Sequence, residues 1–224
     1  MIEHFVQFYE NDAYLANQVA GFIRAGLQAG DAAIVIATKS RRDDLQKRLS
    51  ADVSRAPEQR PRVEPYVPLD AAETLATFMV DGLPDERRFA DVMGRVLKRA
   101  AASGNGRLRV YGEMVGLLST NGKHGAAIRL EELWNELAKV HPFSLFCAYP
   151  MRAFAGEADG DAFLRICNVH SRVCPAESYT PPANAHEHYR TIALLQQKAI
   201  ALETEVARRK ELEKTLQRTR GGVT

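Results

Sequence analysis

From the amino terminus to about residue 180, short apolar runs alternate with longer segments whose apolar residues recur every three or four positions. The short runs are typical of β-strands, and the longer segments are typical of amphipathic helices. The predicted strands are His4–Tyr9, Asp31–Thr38, Val63–Val67, Arg107–Tyr111 and Phe143–Tyr149. Because strands and helices alternate and several strands are apolar throughout, the pattern predicts a three-layer α/β sandwich around a mostly parallel sheet.

Residues that favour helix ends bound the segments between these strands. Asn11 or Asp12 is expected to cap the first helix, and Asp70 is expected to cap a later one. A helix is also predicted over residues 161–173, where Cys174-Pro175 would end it. Further helices are expected over residues 40–49, 85–102 and 128–137. This fold occupies residues 1–180 in the predicted domain organisation.

The chain changes character after residue 180. Pro181-Pro182 predicts a linker over residues 181–185, and neither glycine nor proline occurs from His186 to Arg218. The apolar positions of this segment follow alternating steps of three and four, at Ile192, Leu195, Ala199, Leu202 and Val206. Residues 186–220 are therefore expected to form one coiled-coil helix, followed by a disordered tail at 221–224. Such a narrow apolar stripe needs a partner helix, most simply a second copy in a homodimer through residues 186–218. A change of register is expected near Arg209.

Charge and composition remove several classes of function. The chain has 30 Lys and Arg residues against 28 Asp and Glu, and residues 1–185 are almost neutral, so no nucleic-acid-binding surface is expected. No apolar run approaches the roughly 18–20 residues of a membrane span, so no membrane partner is expected. The three cysteines form neither a disulfide framework nor a CxxC pair, which indicates a cytoplasmic location.

The chain lacks the motifs of nucleotide hydrolysis. It contains no GxxxxGK[ST] and no GxGxxG after a strand, and no GxSxG or HExxH sequence either. The loop after the first strand is Tyr9-Glu10-Asn11-Asp12, which has no glycine or lysine and carries two acidic side chains that would repel phosphate. We therefore expect no enzymatic activity in this chain. One alternative remains, a non-standard nucleotide-binding protein that uses Glu113 and this loop.

Polar and aromatic residues at strand ends are candidates for a binding site. Glu113 follows a predicted strand, at the end where open α/β sheets place their ligands. Tyr111 and Tyr149 also lie near strand ends and could line the same crevice. The alternative is that Glu113 caps a helix and that both tyrosines belong to the core.

Cys167, His170 and Cys174 form a C-x2-H-x3-C cluster whose spacing would place all three on one face of a helix. This spacing leaves open a metal-based or haem-based redox sensor, to which His4 could add a fourth ligand. The alternative is two small buried hydrophobic residues beside a hydrogen-bonded histidine. Cys147 lies within an apolar strand, where a thiol is usually inert. The sequence identifies no cofactor.

Several blocks of the sequence together resemble the MEDS domain, a DcmR-type sensory domain. The opening His4–Glu10, the segment Phe22–Gly30 with the strand after it, and Tyr111-Gly112-Glu113-Met114 all fit the family. The remaining blocks are Arg129–Leu137, His141–Pro150, and Ile166-Cys167 to His170 with Pro175 and Glu177. The resemblance covers about residues 1–180.

The resemblance implies a sensor of bacterial or archaeal signal transduction. Such domains precede histidine kinases or other output modules and have been proposed to sense small hydrocarbon-derived molecules. It also implies a core similar to a RecA/KaiC-type fold that has lost its phosphate-binding (Walker A) loop. By position, the candidate sensing residues are His4, Gln7, Tyr9, Tyr111, Glu113, Cys167 and His170, to which Tyr149 is added from its place near a strand end.

The sequence thus predicts a module that binds a small ligand and relays the signal through a dimeric coiled coil to an output domain such as a histidine kinase. Any kinase activity would lie in an output domain outside this chain. A purely structural dimerisation module without a ligand is a further alternative.

Overall fold

The computed structural model describes residues 3–51, 66–179 and 185–221. The chain divides into two compact units, Met1–Ser178 and Tyr179–Thr224. The strands are β1 (His4–Tyr9), β2 (Ala32–Ala37), β3 (Tyr66–Asp70), β4 (Met79–Val80), β5 (Leu83–Pro84), β6 (Leu108–Gly112), β7 (Phe143–Pro150) and β8 (Arg172–Cys174). The α-helices are α1 (Asp12–Gln28), α2 (Lys39–Ala51), α3 (Ala71–Ala76), α4 (Glu86–Ala101), α5 (Met114–Thr120), α6 (His124–Ala138), α7 (Gly160–Val169) and α8 (Ala185–Gly221).

Six strands form a single parallel sheet in the order β3-β2-β6-β7-β1-β8, and β4 pairs with β5 in a separate hairpin. Successive residues of a strand point to opposite sides of the sheet. Because the strands are apolar on both sides, each face of the sheet packs against helices. Leu15 and Ile23 of α1 and Leu45 of α2 pack with Val35 on one face. On the other face, α4 and α6 cover the sheet, with Met93 and Trp134 in that second core. The predicted three-layer α/β sandwich is thus confirmed.

The predicted helix caps are present. Asn11 Oδ1 accepts hydrogen bonds from the backbone N–H groups of Ala13 and Tyr14 at the start of α1. Asp70 does the same for α3, where its carboxylate accepts from the N–H groups of Ala72 and Glu73. These bonds satisfy donors that a helix cannot satisfy internally, so both helices begin at a defined residue.

Two helices differ from the predictions. The helix predicted over 161–173 ends at Val169, and Arg172–Cys174 form the edge strand β8 instead. The chain turns here because Ser171 binds β1 twice: its N–H donates to His4 O at 2.8 Å, and its hydroxyl donates to the same oxygen at 2.7 Å. A short helix, α5, directly follows Glu113, where the sequence pattern predicts no separate element.

Strand β3 begins later than predicted and runs through Pro68. It lies at the edge of the sheet, where the missing N–H of a proline costs no ladder hydrogen bond. The first part of the predicted strand, residues 63–65, lies outside the described residues.

The described part of the second unit contains the helix α8, in which Ile192, Leu195, Leu202 and Val206 are all exposed. The predicted linker at 181–185 and tail at 221–224 fall outside the described residues, except that α8 includes Ala185 and Gly221. No helix in the described part of the chain has both the length and the apolar character needed to span a membrane.

Candidate functional site

A crevice opens where the carboxyl ends of β2 and β6 lie side by side. The chain leaves β2 into α2 on one face of the sheet and leaves β6 into α5 on the other face, so the two connections diverge. Ligands of open α/β sheets bind at such points. The cavity has a volume of about 540 Å³, which is typical of small-molecule sites. Its chief lining residues are Tyr9, Thr38, Arg41, Glu113, Leu117 and Arg152.

Glu113 lines this crevice and is almost fully buried. Its Oε2 accepts hydrogen bonds from the backbone N–H of Thr38 at 2.7 Å and from the Thr38 hydroxyl at 3.1 Å. Its Oε1 accepts from Arg41 Nε at 3.2 Å, and Arg41 Nη2 also donates to Asp12 Oδ1 at 2.6 Å. The carboxylate therefore joins the end of β6 to the end of β2 and, through Arg41, to the start of α1.

Two tyrosines stand beside this network. Tyr9 lines the crevice, and burial raises the pKa of its hydroxyl. Tyr111 is fully buried; burial and the nearby Glu113 carboxylate raise the pKa of its hydroxyl well above the usual value. The Tyr111 hydroxyl makes no hydrogen bond within the described ranges. Both side chains are therefore neutral phenols at physiological pH.

The loop between β1 and α1 binds a carboxylate of the protein itself. The backbone N–H groups of Glu10 and Asn11 donate to the two carboxylate oxygens of Glu177, at 3.1 and 2.5 Å. The N–H groups of Ala13 and Tyr14, in the first turn of α1, donate to Asn11 Oδ1. Donors that could bind an anion at a helix start are thus already occupied.

The crevice carries one cation without a charged partner. Arg41 is paired with Asp12 and Glu113, and Arg48 with Asp44. Within residues 3–51, 66–179 and 185–221, Arg152 makes no hydrogen bond or ion pair and has an exposed side chain. The lining therefore offers a free guanidinium to a ligand.

A second polar group lies in the core on the α6 side of the sheet, which we call the buried His–Glu–Cys cluster: His4, Glu131, Cys147 and His170. Glu131 is fully inaccessible, and its Oε2 lies 3.1 Å from His4 Nε2 and accepts from Cys147 Sγ at 3.2 Å. Its Oε1 accepts from the Tyr149 hydroxyl at 2.8 Å and lies 3.3 Å from His170 Nε2. The cluster joins β1, α6, β7 and the end of α7.

Ionisation within the cluster follows from this geometry. Burial alone would raise the pKa of Glu131, but the imidazoles of His170 and His4 outweigh it and hold that pKa well below its usual range. Burial and the Glu131 charge raise the pKa of the Cys147 thiol well above its usual value and do the same for the Tyr149 hydroxyl. In His170, burial lowers the pKa but the Glu131 carboxylate more than offsets it, so the net shift is upward. The charge of Glu131 is therefore coupled to the protonation of its two histidine neighbours.

The structure divides the predicted site residues among several places. Tyr9 and Glu113 line the crevice, with Tyr111 buried beside them, whereas His4, Tyr149 and His170 meet at Glu131. Gln7 joins neither group: its amide donates at 2.7 Å to Phe8 O and also to Pro175 O, which fixes the segment after β8.

The predicted arrangement of Cys167, His170 and Cys174 on one helical face is wrong. Cys167 packs against the core on the α6 side, whereas Cys174 lies in β8 and packs against the core on the α1 side. The chain leaves the helical conformation at His170, where φ is −104° and ψ is 144°, so the i, i+4 spacing no longer applies. Instead, the potential ligands around His170 are His4, Glu131 and Cys147.

Sequence reasoning missed Arg41, Arg152 and Glu131, and it dismissed Cys147 as inert. Arg41 and Arg152 look like ordinary surface charges in the sequence, since nothing local places them at strand ends. Glu131 did carry a signal: it follows Ile128 by three residues and precedes Trp134 by three, on the apolar face of α6. A carboxylate at such a position is buried and needs a partner.

The parallel sheet and its strand-end crevice define an α/β domain of the class that carries its functional site at the carboxyl ends of the strands. The family model described as MEDS, the methanogen/methylotroph, DcmR sensory domain, matches residues 3–171. The chain therefore belongs to the MEDS family, as its sequence blocks predicted, and carries a sensory module of signalling proteins. No curated protein and no solved structure matches the chain.

Proposed function

We propose that this chain is a non-catalytic sensor that binds a small polar molecule in the crevice between β2 and β6 and passes its occupancy to α8. The observation that carries the proposal is the crevice itself, a cavity of about 540 Å³ at the diverging ends of two parallel strands in a domain of a sensory family. The occupied donors of the β1–α1 loop support a ligand other than a nucleotide.

The lining indicates the chemistry of the ligand. Arg152 offers a guanidinium without a partner in the described part of the chain, while Leu117 and the aliphatic part of Thr120 supply apolar surface. Such a site fits a short hydrocarbon derivative with a carboxylate or hydroxyl group, which would accept hydrogen bonds from Arg152. Glu113 is engaged with Thr38 and Arg41, so its role is to hold the walls of the site in place.

A chain of contacts leads from the crevice to Ser178, the last residue of the first unit. Tyr9 and Asp12 line the crevice, and the loop between them is held by Glu177. Ser178, the next residue, donates its hydroxyl to Glu10 Oε1 at 2.9 Å. A ligand that shifts this loop would therefore shift the end of the first unit, directly before the residues that lead into α8. To act as a signal, the ligand must bind one arrangement more tightly than the other by a few kcal/mol.

The relay would use a homodimer of α8, with a histidine kinase or another output module as its receiver. The apolar seam of α8 is exposed in the single chain, at Ile192, Leu195, Leu202 and Val206. Two parallel copies would bury this seam in a left-handed coiled coil.

The test is a binding screen with the purified full chain. Short alcohols, carboxylic acids and amines are tested by thermal shift, and hits are measured by calorimetry. We expect a carboxylate or alcohol to bind and Arg152→Gln to weaken it at least tenfold, which is one charge-assisted hydrogen bond of about 1.5–3 kcal/mol. Arg95→Gln is the matched control, since Arg95 is exposed on α4 away from the crevice.

Three results would contradict the proposal. The first is a screen in which no small molecule binds, which would favour a structural dimerisation module. The second is a hit whose affinity is equal for wild type, Arg152→Gln and Arg95→Gln, because the ligand would then bind elsewhere. The third is tight, magnesium-dependent binding of ATP or GTP in calorimetry, which would favour a nucleotide-binding protein.

A further inference from the structure

The tautomers of the two buried histidines follow from their partners. His4 Nδ1 lies 2.8 Å from Asn135 Oδ1, and the amide nitrogen of Asn135 donates to Val169 O at 2.9 Å. That second bond fixes the amide so that its oxygen faces His4, which means that His4 Nδ1 carries the proton. The Nε2 atom of the neutral His4 ring then holds a lone pair, and this atom faces Glu131 and Cys147.

His170 repeats the same arrangement from the other side. Its Nδ1 lies 2.6 Å from the backbone oxygen of Ile166, so Nδ1 is the protonated nitrogen. Its Nε2 is fully buried and makes no hydrogen bond within the described ranges, although Glu131 Oε1 is 3.3 Å away. The two rings lie with their centroids 4.2 Å apart. Each imidazole is therefore oriented by a carbonyl on one nitrogen and presents the other to the cluster.

This geometry brings the lone pairs of several acceptor atoms together inside the buried core. Two imidazole Nε2 atoms, a carboxylate and a thiol sulfur meet within the core, and their potential ligand atoms all lie within 4.8 Å of one another. Acceptor atoms that face one another in a low-dielectric interior are costly unless positive charge lies between them. That positive charge comes either from protons on the histidines or from a metal ion.

We propose that the buried His–Glu–Cys cluster binds one divalent transition-metal ion, with Zn²⁺ as the best match. His4 Nε2, His170 Nε2, Glu131 and Cys147 Sγ supply four ligands of the types that zinc prefers. Neither Ca²⁺ nor Mg²⁺ suits the cluster, because both need more oxygen ligands than it contains.

Charge and distance both fit a tetrahedral site. Bonds of about 2.0–2.3 Å separate the ligands of such a site by about 3.3–3.7 Å. His4 Nε2 is already 3.1 Å from Glu131 Oε2 and 3.4 Å from Cys147 Sγ. The other ligand atoms lie within 4.8 Å of one another, so modest side-chain rotations would bring them to tetrahedral distances. On binding, the Cys147 thiol releases its proton to solvent. One thiolate and one carboxylate then balance the two positive charges of the ion, which leaves the core neutral.

The supporting contacts are those of a metal site. The Nδ1–H bonds of both histidines orient their rings, and the Tyr149 hydroxyl donates a hydrogen bond to Glu131 Oε1. With four protein ligands, the ion would have no open position, which is typical of a structural site. It would fasten the chain at His170, immediately before β8, to β1, α6 and β7.

The experiment measures metal in the full-length protein. Protein purified without chelators or affinity metals is analysed by inductively coupled plasma mass spectrometry, and metal-free protein is titrated with Co²⁺ alone and with Zn²⁺ alone. We expect about one zinc per chain, and a Co²⁺ form with a thiolate charge-transfer band and the strong visible bands of tetrahedral cobalt. Zinc should also raise the melting temperature, because it binds the folded chain.

Three variants locate the ion. Cys147→Ser should lose the thiolate band, whereas Cys167→Ser should keep it, since Cys167 is half-buried on the same side of the sheet but outside the cluster. Tyr149→Phe removes a contact to Glu131 but no ligand, so it should retain the band and weaken metal affinity about 10–100-fold. This variant keeps the test valid if Cys147→Ser fails to fold.

The proposal is overturned if Co²⁺ produces no thiolate band in folded wild-type protein, because protons on the histidines would then balance Glu131. It is equally overturned if Cys147→Ser binds Co²⁺ with the wild-type spectrum, or if Cys167→Ser loses the band instead. None of these outcomes depends on the ligand of the crevice, so the two proposals can fail separately.

Discussion

At the scale of single residues, the crevice depends on close backbone packing as well as on charged side chains. Gly116 lies in the first turn of the crevice wall α5, and a Cβ built there would lie 2.7 Å from the backbone oxygen of Ala148 in β7. The absence of a side chain thus lets α5 approach the sheet, which sets the position of the neighbouring Leu117 in the cavity lining.

We expect Gly116→Ala to lower the free energy of unfolding by about 1–3 kcal/mol, because the backbone must shift to admit the methyl group. The matched control is Gly125→Ala in α6, where a Cβ meets nothing within 4 Å. That change should leave stability unchanged or raise it by up to about 1 kcal/mol, since alanine favours the helix. Urea unfolding of the three proteins measures the difference. Equal effects of the two substitutions would contradict the packing argument.

Asp70 makes a pH-dependent contribution at the end of β3. The hydrogen bond from Arg42 Nη1, at 2.8 Å, and the N–H groups at the start of α3 hold the pKa of Asp70 below its usual range. A carboxyl whose pKa is lowered by folding stabilises the fold above its unfolded pKa of about 3.9, and this contribution disappears as the pH falls through the folded-state pKa.

Asp70→Asn should therefore be less stable than wild type at pH 7, and the difference should shrink as the pH falls from about 5 to about 2. Unfolding in denaturant at a series of pH values measures this convergence. The control is Asp91→Asn, since Asp91 is exposed on α4 and makes no ion pair in the described part of the chain. A difference between Asp70→Asn and wild type that is constant with pH would show that the ion pair contributes nothing.

How far sequence reasoning reaches at this scale depends on whether a residue's partners are local. Glu113 could be placed at a strand end because a strand and its end are local features. Its partners Thr38 and Arg41 could not, because they lie just after β2, a strand that is adjacent to β6 only in the folded sheet. In the same way, His4 and His170 were each identified, but their meeting at Glu131 depends on the parallel order of β7, β1 and β8.

At the scale of elements, periodicity predicted the long segments and failed on the short ones. Helices α1, α4 and α6 have several turns of apolar residues, so their existence follows from the pattern. Strand β8 has only three residues, and its first two side chains are exposed, so no alternation identifies it. It exists because β1 offers a free edge to which it hydrogen bonds, and that edge is a tertiary feature.

The apolar seam of α8 leads to a test of dimerisation. Leu195 lies on the predicted seam and Leu194 lies outside it, yet both side chains are 52% exposed in the single chain. Leu195→Glu should convert a dimer to a monomer, because two carboxylates would face each other across the seam. Leu194→Glu should leave the dimer intact. Sedimentation velocity of the full chain distinguishes the two, and equal behaviour of both variants would reject the predicted seam.

At the scale of the whole molecule, the two proposals give the crevice and the buried cluster different tasks. The crevice lies at the carboxyl ends of the strands, open to solvent and lined by paired charges and by Arg152. The cluster lies in the core on the α6 side of the sheet, and its four members are buried. An exposed polar site can exchange ligands, whereas a closed site can hold the strands together while that exchange occurs. The proposed sensing in the crevice would thus need no change in the cluster.

The proposed relay through α8 predicts a dependence on helical phase. When the chain is fused to a histidine kinase, one residue inserted after Arg190 would rotate everything beyond it by about 100° relative to the sensor. An inserted heptad would lengthen the helix but restore its phase to within about 20°. We expect the single insertion to invert or abolish the ligand response of autophosphorylation, and the heptad insertion to preserve it. If both insertions preserve the response, the signal does not pass as rotation or register of α8; if both abolish it, distance rather than phase is what the output domain detects.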